Sequence, residues 1–474
     1  MTATLIRGGT LVLPGADGRL RAEPGDLLVS GERIAAVGCV GPIEKPAGDS
    51  CTDEASPPGS KTSSSEGNGS SAHAAAATVV DASGCAVLPG FVQTHLHLCQ
   101  TLFRGAADDL PLLDWLSQRI WPLEAAHDPE SMRASARLAV AELLLGGTTA
   151  VQTMETVHHT EAALEVLEEA GIFAVAGKCL MDDPETSPEG LVQTTDAALQ
   201  EAADLAERWD GRAGGRLRYC LAPRFAVSCT DTCLREVGEL AVGNGWRVHT
   251  HAAENRDEVA LVEQRTGFHN VSYLDSVGCT GPAVGLAHCV WVGEEEIALL
   301  ARTGTHVLHC PGSNCKLGSG VAPVPRLLEA GVSVSLGADG APCNNTLDMF
   351  REMRLAALLQ KARSGPDALP AAQLLDLATR EGAAALGWTG ELGVLAPGAW
   401  ANVVLVDLER LHSVPIHDPI SALVYSAGAA DVRSVWLAGR QVVEDGVLIL
   451  WDEDQVRCEA QRQAGKLFAR AGLA

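Results

Sequence analysis

VLPGFVQTHLH, residues 87–97, is an apolar β pattern that ends on two histidines, His95 and His97. Valine or leucine would pack better at both positions. In a strand, residues i and i+2 point to one face, so the two imidazoles project together. Seven further runs share the design: TTAVQTME, FAVAGKCLMD, RYCLAPRF, RVHTHAAE, VGLAHCV, THVLHCP and SVSLGADG. Amphipathic segments separate them. SMRASARLAVAELLLGG and TCLREVGELAVGNG are two of these, each closing on glycine, a common helix stop. Eight strands alternating with helices predict an α/β fold, a parallel (β/α)8 TIM-type barrel. An open doubly wound sheet is the other arrangement, but no GxGxxG follows a strand here.

Shorter β patterns flank this region. TLIRGGTLVL and GDLLVSGERIAAVG read as hairpins, broken at Gly-Gly and Ser-Gly. After about residue 390 come ANVVLVDLERL and VWLAGRQVVEDGVLI, the latter two strands joined by Ala-Gly-Arg, and then a helix from Glu453 to Arg470. We expect a small β-sandwich domain built from both termini, residues 1–89 and 391–474, around a catalytic barrel at 90–390. Residues 49–78 are rich in Ser, Gly, Ala and Pro, a composition that buries too little surface to order itself, and predict a disordered insertion. His73 inside it is expected to be solvated.

The chain has 474 residues, 46% of them apolar, enough for a large core. Its formal net charge of -25 argues against nucleic acid or an anionic membrane surface as partner. The 14 cysteines follow no disulfide framework and no CxxC zinc module. Cys179, Cys220, Cys289 and Cys310 lie in the apolar runs and read as small buried hydrophobes in a reducing cytosol. The start MTATLIRGGTLVLPG lacks the pattern of a signal peptide, and no run of 18 apolar residues offers a membrane span. The expected location is cytoplasmic.

A barrel presents its chemistry at the C-terminal ends of its strands. There the chain places His95 and His97 on strand one, His249, His251 and Glu254 on strand five, His288 on six, His309 on seven and Asp339 on eight. Core packing does not call for polar groups at five strand ends. Three neutral imidazoles and a carboxylate suit zinc or iron(II) with one position left for water. Such an ion lowers the water pKa towards about 7, and a carboxylate nearby can shuttle the protons. Glu254, three residues past His251, is placed for that task.

Taken in order, the HxH of strand one, the HxxE of strand five, the strand-six His and the strand-eight Asp resemble the amidohydrolase superfamily. The likeness is to its aminohydrolase branch, which includes deaminases of guanine and adenosyl nucleosides and the s-triazine hydrolases. The resemblance implies that His95, His97, His251 and Asp339 bind metal. It gives Glu254 the protonation of a ring nitrogen and His288 the orientation of hydroxide. Asp339 would also accept a proton. Binuclear relatives carry a bridging lysine at the end of strand four, where this chain reads RYCLAPRF, so one divalent metal per chain is expected, zinc or iron(II). The resemblance further implies a homo-oligomer.

LFRGAADDLPLLDWL, LHCPGSNCKLGSGVAPV and LGADGAPCNNTLDMFREMRLAALLQK resemble the deaminases of 5′-deoxyadenosine, methylthioadenosine and S-adenosylhomocysteine. In that group a glutamate binds the ribose hydroxyls; Glu124 in WLSQRIWPLE stands at its position. The chain departs from the group in two places. GKCLMDDPETSPEG has Lys178 and no arginine, and Arg224-Phe225 replaces a base-contacting histidine. GKCLMD, APRFAVSC, AENRDEV and Gln100 resemble guanine deaminase instead. The substrate site expected from these likenesses is Gln100, Glu124, Lys178 and Arg224. The expected activity is hydrolytic deamination of a purine nucleoside of the 5′-deoxyadenosine type. Guanine deamination and s-triazine hydrolysis are the alternatives.

Overall fold

The computed structural model describes residues 3–15, 18–39 and 78–473. The segment expected to be a disordered insertion, with His73, lies outside the described residues apart from Thr78. The N-terminal strands are β1 (Ala3–Pro14), β2 (Leu20–Ser30), β3 (Arg33–Gly38), β4 (Thr78–Asp81) and β5 (Cys85–Pro89). The barrel strands follow: β6 (Phe91–Leu96), β7 (Thr148–Glu155), β8 (Phe173–Leu180), β9 (Leu217–Pro223), β10 (Arg247–Ala252), β11 (Val284–His288), β12 (His306–His309) and β13 (Val334–Leu336). The C-terminal strands are β14 (Val403–Asp407), β15 (Val432–Leu437), β16 (Arg440–Glu444) and β17 (Val447–Leu448).

Strands β6 to β13 lie side by side in chain order, every pairing parallel. The ends of this sheet meet. Thr94 Oγ1 donates to the Leu336 carbonyl at 3.0 Å, and the Asp339 amide donates to the His95 carbonyl at 3.0 Å. The helices obey the stop signals of the sequence. Pro129–Leu145 starts at Asp128, whose side chain accepts from the Ser131 amide, and ends at Gly146. Asp231–Asn244 starts at Thr230 and ends at Gly245, which is left-handed at φ 72°.

A second sheet gathers both termini in the order β17-β16-β15-β14-β5-β1-β2-β3, with β4 beside β1. Its own core includes Ile6, Leu27, Val87, Val403, Leu405 and Trp436. Two details differ from the sequence reading. TLIRGGTLVL is one strand and not a hairpin: Gly8, at φ 74°, takes a bulge between Ile6 and Gly9 in the pairing with β2. VLPGFVQTHLH is two strands: VLP pairs with β14, and the chain crosses into the barrel at Gly90. A Cβ on Gly90 would come within 2.1 Å of Thr149 Oγ1, so only glycine permits the crossing.

No helix among the described residues is long and apolar enough to cross a membrane. Every cysteine among them is a free thiol, and Cys179, Cys220, Cys289 and Cys310 are buried.

Candidate active site

The barrel brings six polar side chains from β6, β10, β11 and the segment after β13 to one mouth. His95 Nε2 and His97 Nε2 each lie 3.3 Å from Asp339 Oδ1. His97 Nε2 and His251 Nε2 are 3.2 Å apart. The far nitrogen of each ring is already committed. His97 Nδ1 donates to the Met154 carbonyl at 2.8 Å, and His251 Nδ1 to the Arg224 carbonyl at 2.5 Å. His95 Nδ1 lies 2.7 Å from His249 Nε2. These bonds hold the protons on Nδ1 and turn the Nε2 lone pairs inward.

The three imidazoles are buried, and His95 Nε2 has no hydrogen-bond partner. Lone pairs at 3.2 Å repel unless a positive charge lies between them. His95, His97 and His251 present donor atoms within 4.8 Å of one another, as do His95, His288 and Asp339. Three neutral nitrogens and a carboxylate oxygen match a divalent zinc or iron(II) ion. The residues present fit such an ion.

Burial keeps the imidazoles neutral: it pushes His97 down to about 4, and lowers His95 and, further, His251. Burial alone would raise the Asp339 carboxyl. The facing His95, His97 and His288 outweigh it and hold Asp339 well below the usual carboxylate range. Glu254 behaves oppositely: burial pushes it up to about 7, in spite of His288. Its Oε2 lies 3.4 Å from His288 Nε2, and its Oε1 accepts from Ser319 Oγ at 3.2 Å. The mouth therefore pairs one carboxylate that rests ionised, free to accept a proton, with one poised near neutrality, a division of labour suited to acid–base work. His288 Nδ1 is anchored on Asn314 Oδ1 at 2.8 Å, which aims Nε2 at Glu254.

Three turns that deliver these groups are left-handed at non-glycine residues: Ala253 (φ 51°), His288 (φ 74°) and Asp339 (φ 64°). Such conformations cost on the order of 1–3 kcal/mol each and gather at functional sites. His309 ends β12 buried, with neither ring nitrogen partnered and outside both donor clusters.

A cleft opens onto this cluster. Gln100 and Arg224 supply further polar wall, while Leu112, Trp115, Leu116, Phe225 and Leu317 form an apolar slot. That mixture of apolar faces and a few polar groups suits a small heterocycle.

Two expected residues stand elsewhere. Glu124 is not on the cavity wall; it lies behind it. Its Oε1 accepts from Gln100 Nε2 at 2.8 Å and its Oε2 from Arg224 Nη1 at 2.6 Å, so both oxygens are taken up by the residues that do face the cavity. Burial would lower the Arg224 pKa, but Glu124 outweighs it and keeps the guanidinium charged. Lys178 points away from the mouth. Its Nζ donates to the Val157 carbonyl at 2.9 Å and to Gln193 Oε1 at 2.6 Å, and pairs with Glu201 at 3.0 Å. Neighbours in a strand alternate faces, and Cys179 is the one within electrostatic reach of Arg224 and Glu124. The sequence reading gave no part to Asn314, Ser319 or Glu258, whose Oε2 accepts the Glu254 amide at 2.8 Å. Their signal was available only as polar residues just past strands that carry histidine or glutamate.

The chain belongs to the amidohydrolase family, which it matches over residues 86–442, and is a hydrolase acting on a C–N bond. It is 41% identical over 391 residues to a 5′-deoxyadenosine deaminase of Methanothermobacter thermautotrophicus, covering 82% of this chain and 89% of that one. It is 36% identical to a 5-methylthioadenosine/S-adenosylhomocysteine deaminase of Pelotomaculum thermopropionicum, covering 99% of this chain and 100% of the relative. The crystal structure of an adenosine deaminase from Xanthomonas campestris with bound zinc superposes with a TM-score of 0.86 at 32% identity, covering 99% of each chain.

Proposed function

We propose that this protein is a hydrolytic deaminase of adenosine-type nucleosides, with 5′-deoxyadenosine and 5′-methylthioadenosine foremost. One observation carries the reading: the inward-facing nitrogens of His95, His97 and His251, with Asp339 Oδ1, share a mouth with Glu254, a buried acid near neutrality. The names of the relatives supply the substrate class. His95, His97, His251 and Asp339 would hold one divalent ion, zinc, whose Lewis acidity lets water act as a nucleophile at neutral pH.

The chain's own groups then divide the proton work. Water adds to the ring carbon bearing the amine, and ammonia leaves. Glu254 takes a proton from the water and delivers it to the adjacent ring nitrogen. His288 orients the attacking oxygen through Nε2. Asp339 accepts the second proton, which departs with ammonia. Gln100 and Arg224 hold the ring edge, and the apolar slot covers its faces and limits access of bulk water. Residues 90–390 are read as the catalytic unit, with 1–89 and 391–474 as its companion domain.

Guanine deamination is the second reading. It is favoured by Glu124 bracing Gln100 and Arg224, since the carboxylates on the cavity wall among the described residues, Glu254 and Asp339, are those assigned to the chemistry. Ammonia release measured as kcat/KM on 5′-deoxyadenosine, 5′-methylthioadenosine, adenosine and guanine tests both. Preference for the nucleosides supports the first reading; preference for guanine replaces it with the second.

A further inference from the structure

A second group of metal donors lies outside the barrel mouth. Asp182 follows β8, Cys229 follows β9, and Cys233 sits in the first turn of the helix Asp231–Asn244. All three are buried, and one donor atom from each lies within 4.8 Å of the others. We propose that these residues form a second cation site that takes a soft divalent ion such as zinc or cadmium.

The carboxylate is oriented as metal ligands are. Asp182 Oδ1 accepts from the Thr230 amide at 2.7 Å, and Oδ2 accepts from Thr195 Oγ1 and Thr230 Oγ1 at 2.6 Å each. An orienting shell of this kind fixes a ligand before the ion arrives. Oδ1 keeps a lone pair that no described hydrogen bond uses. Two thiols and one carboxylate form a donor set that selects zinc or cadmium over magnesium or calcium.

The charge can be met locally. The N-terminus of the 14-residue helix Asp231–Asn244 offers a partial positive charge to Cys233. The Lys178 ammonium is within electrostatic reach of the same thiol. A thiol that ligates an ion gives up its proton, so binding through two thiols releases two protons per ion. The ion would tie the segment after β8 to the one after β9, which begins with Arg224 and Phe225 of the cavity wall.

The test uses the full chain with its mouth loaded with zinc, titrated with cadmium. The site predicts an ultraviolet thiolate-to-cadmium band that saturates at one equivalent, with two protons released. Cys229→Ala and Cys233→Ala should each abolish it. A variant with the exposed Cys39, Cys315 and Cys458 changed to serine should keep it. Cadmium NMR on the unaltered protein probes the same site without mutation, through the shift of an ion with two sulfur ligands. Absence of the band and of that NMR signal, or a band surviving in both alanine variants, overturns the proposal. The histidine cluster has no sulfur, so this result is independent of the deaminase reading.

Discussion

His95 Nδ1 faces His249 Nε2 at 2.7 Å in the buried interior of the barrel. For His95 to offer Nε2 to an ion, its proton must remain on Nδ1, and His249 is the acceptor that holds it there. Loss of such a partner costs about 10–100-fold in metal affinity. His249→Ala should show that loss in competition with a chelator, and His249→Gln, which keeps an acceptor, should recover part of it. Unchanged affinity in both variants would remove His249 from the site's support.

His97→Ala should lose the mouth's metal ion and the activity together. Its Nε2 faces both Asp339 and His251, so no other residue can close the gap. Elemental analysis beside an ammonia assay checks this, in a background lacking Cys229 and Cys233 so that only the mouth is counted. Retained metal with lost activity would count against His97 as a ligand.

Glu254→Gln should keep the metal and barely turn over. Removing a positioned acid–base group costs about 10²–10⁴-fold in rate. Glutamine preserves the shape and the contact with Ser319, so the melting temperature should hold. Turnover near that of the parent would take Glu254 out of the mechanism.

Glu124→Ala should harm every substrate alike. Both oxygens of Glu124 hold groups that face the cavity, so its removal loosens Gln100 and leaves Arg224 buried without a partner. Such charge-assisted bonds are worth roughly 1.5–3 kcal/mol, or about 10–100-fold in kcat/KM. The orphaned guanidinium should also cost about 3–5 kcal/mol of stability. A loss confined to nucleosides, sparing guanine, would show Glu124 reaching the sugar directly, as the family likeness implies.

Glu155 offers a test by pH. It is buried, accepts from the Cys99 amide at 2.9 Å and from Thr153 Oγ1 at 2.5 Å, and burial pushes its pKa up to about 7. Below the ordinary carboxyl pKa both folded and unfolded chains hold the proton, and no penalty arises. As pH rises through that value the unfolded chain ionises first, so stability falls until the folded group ionises near 7. The penalty is then constant, on the order of 3 kcal/mol. Glu155→Gln should therefore compare better with the parent at pH about 8 than at pH about 4. Melting curves at the two pH values with an equal relative effect would exclude the buried-acid account.

What the sequence disclosed depended on which physical signal each residue leaves. The barrel strands are apolar runs whose histidines and carboxylates break the pattern at one end only, so strand order and His95, His97, His251, Glu254, His288 and Asp339 could be picked out together. Gly8-Gly9 could not be told from a turn, because glycine serves a bulge and a hairpin equally. Gly90 hid a change of sheet, since both halves of VLPGFVQTHLH are β and apolar. The surroundings of Glu124 and Lys178 were not legible, for a directional reason. Which way a side chain points is settled by partners far along the chain, Arg224 for one and Glu201 for the other.

The crossing at Gly90 also sets an order of events. The strand before the crossing, β5, is bonded to β14 through pairs such as Val403 with Pro89, and the Gly90 amide itself donates to the Asn402 carbonyl at 3.0 Å. Those partners lie more than 300 residues downstream. During synthesis the first two histidines and their β7 neighbour emerge early, yet the sheet that holds the entry to β6 is completed only in the last fifth of the chain. A ribosome-bound fragment ending before Asn402 would carry every residue of the mouth and still lack the β14 partner of the strand that leads in at Gly90.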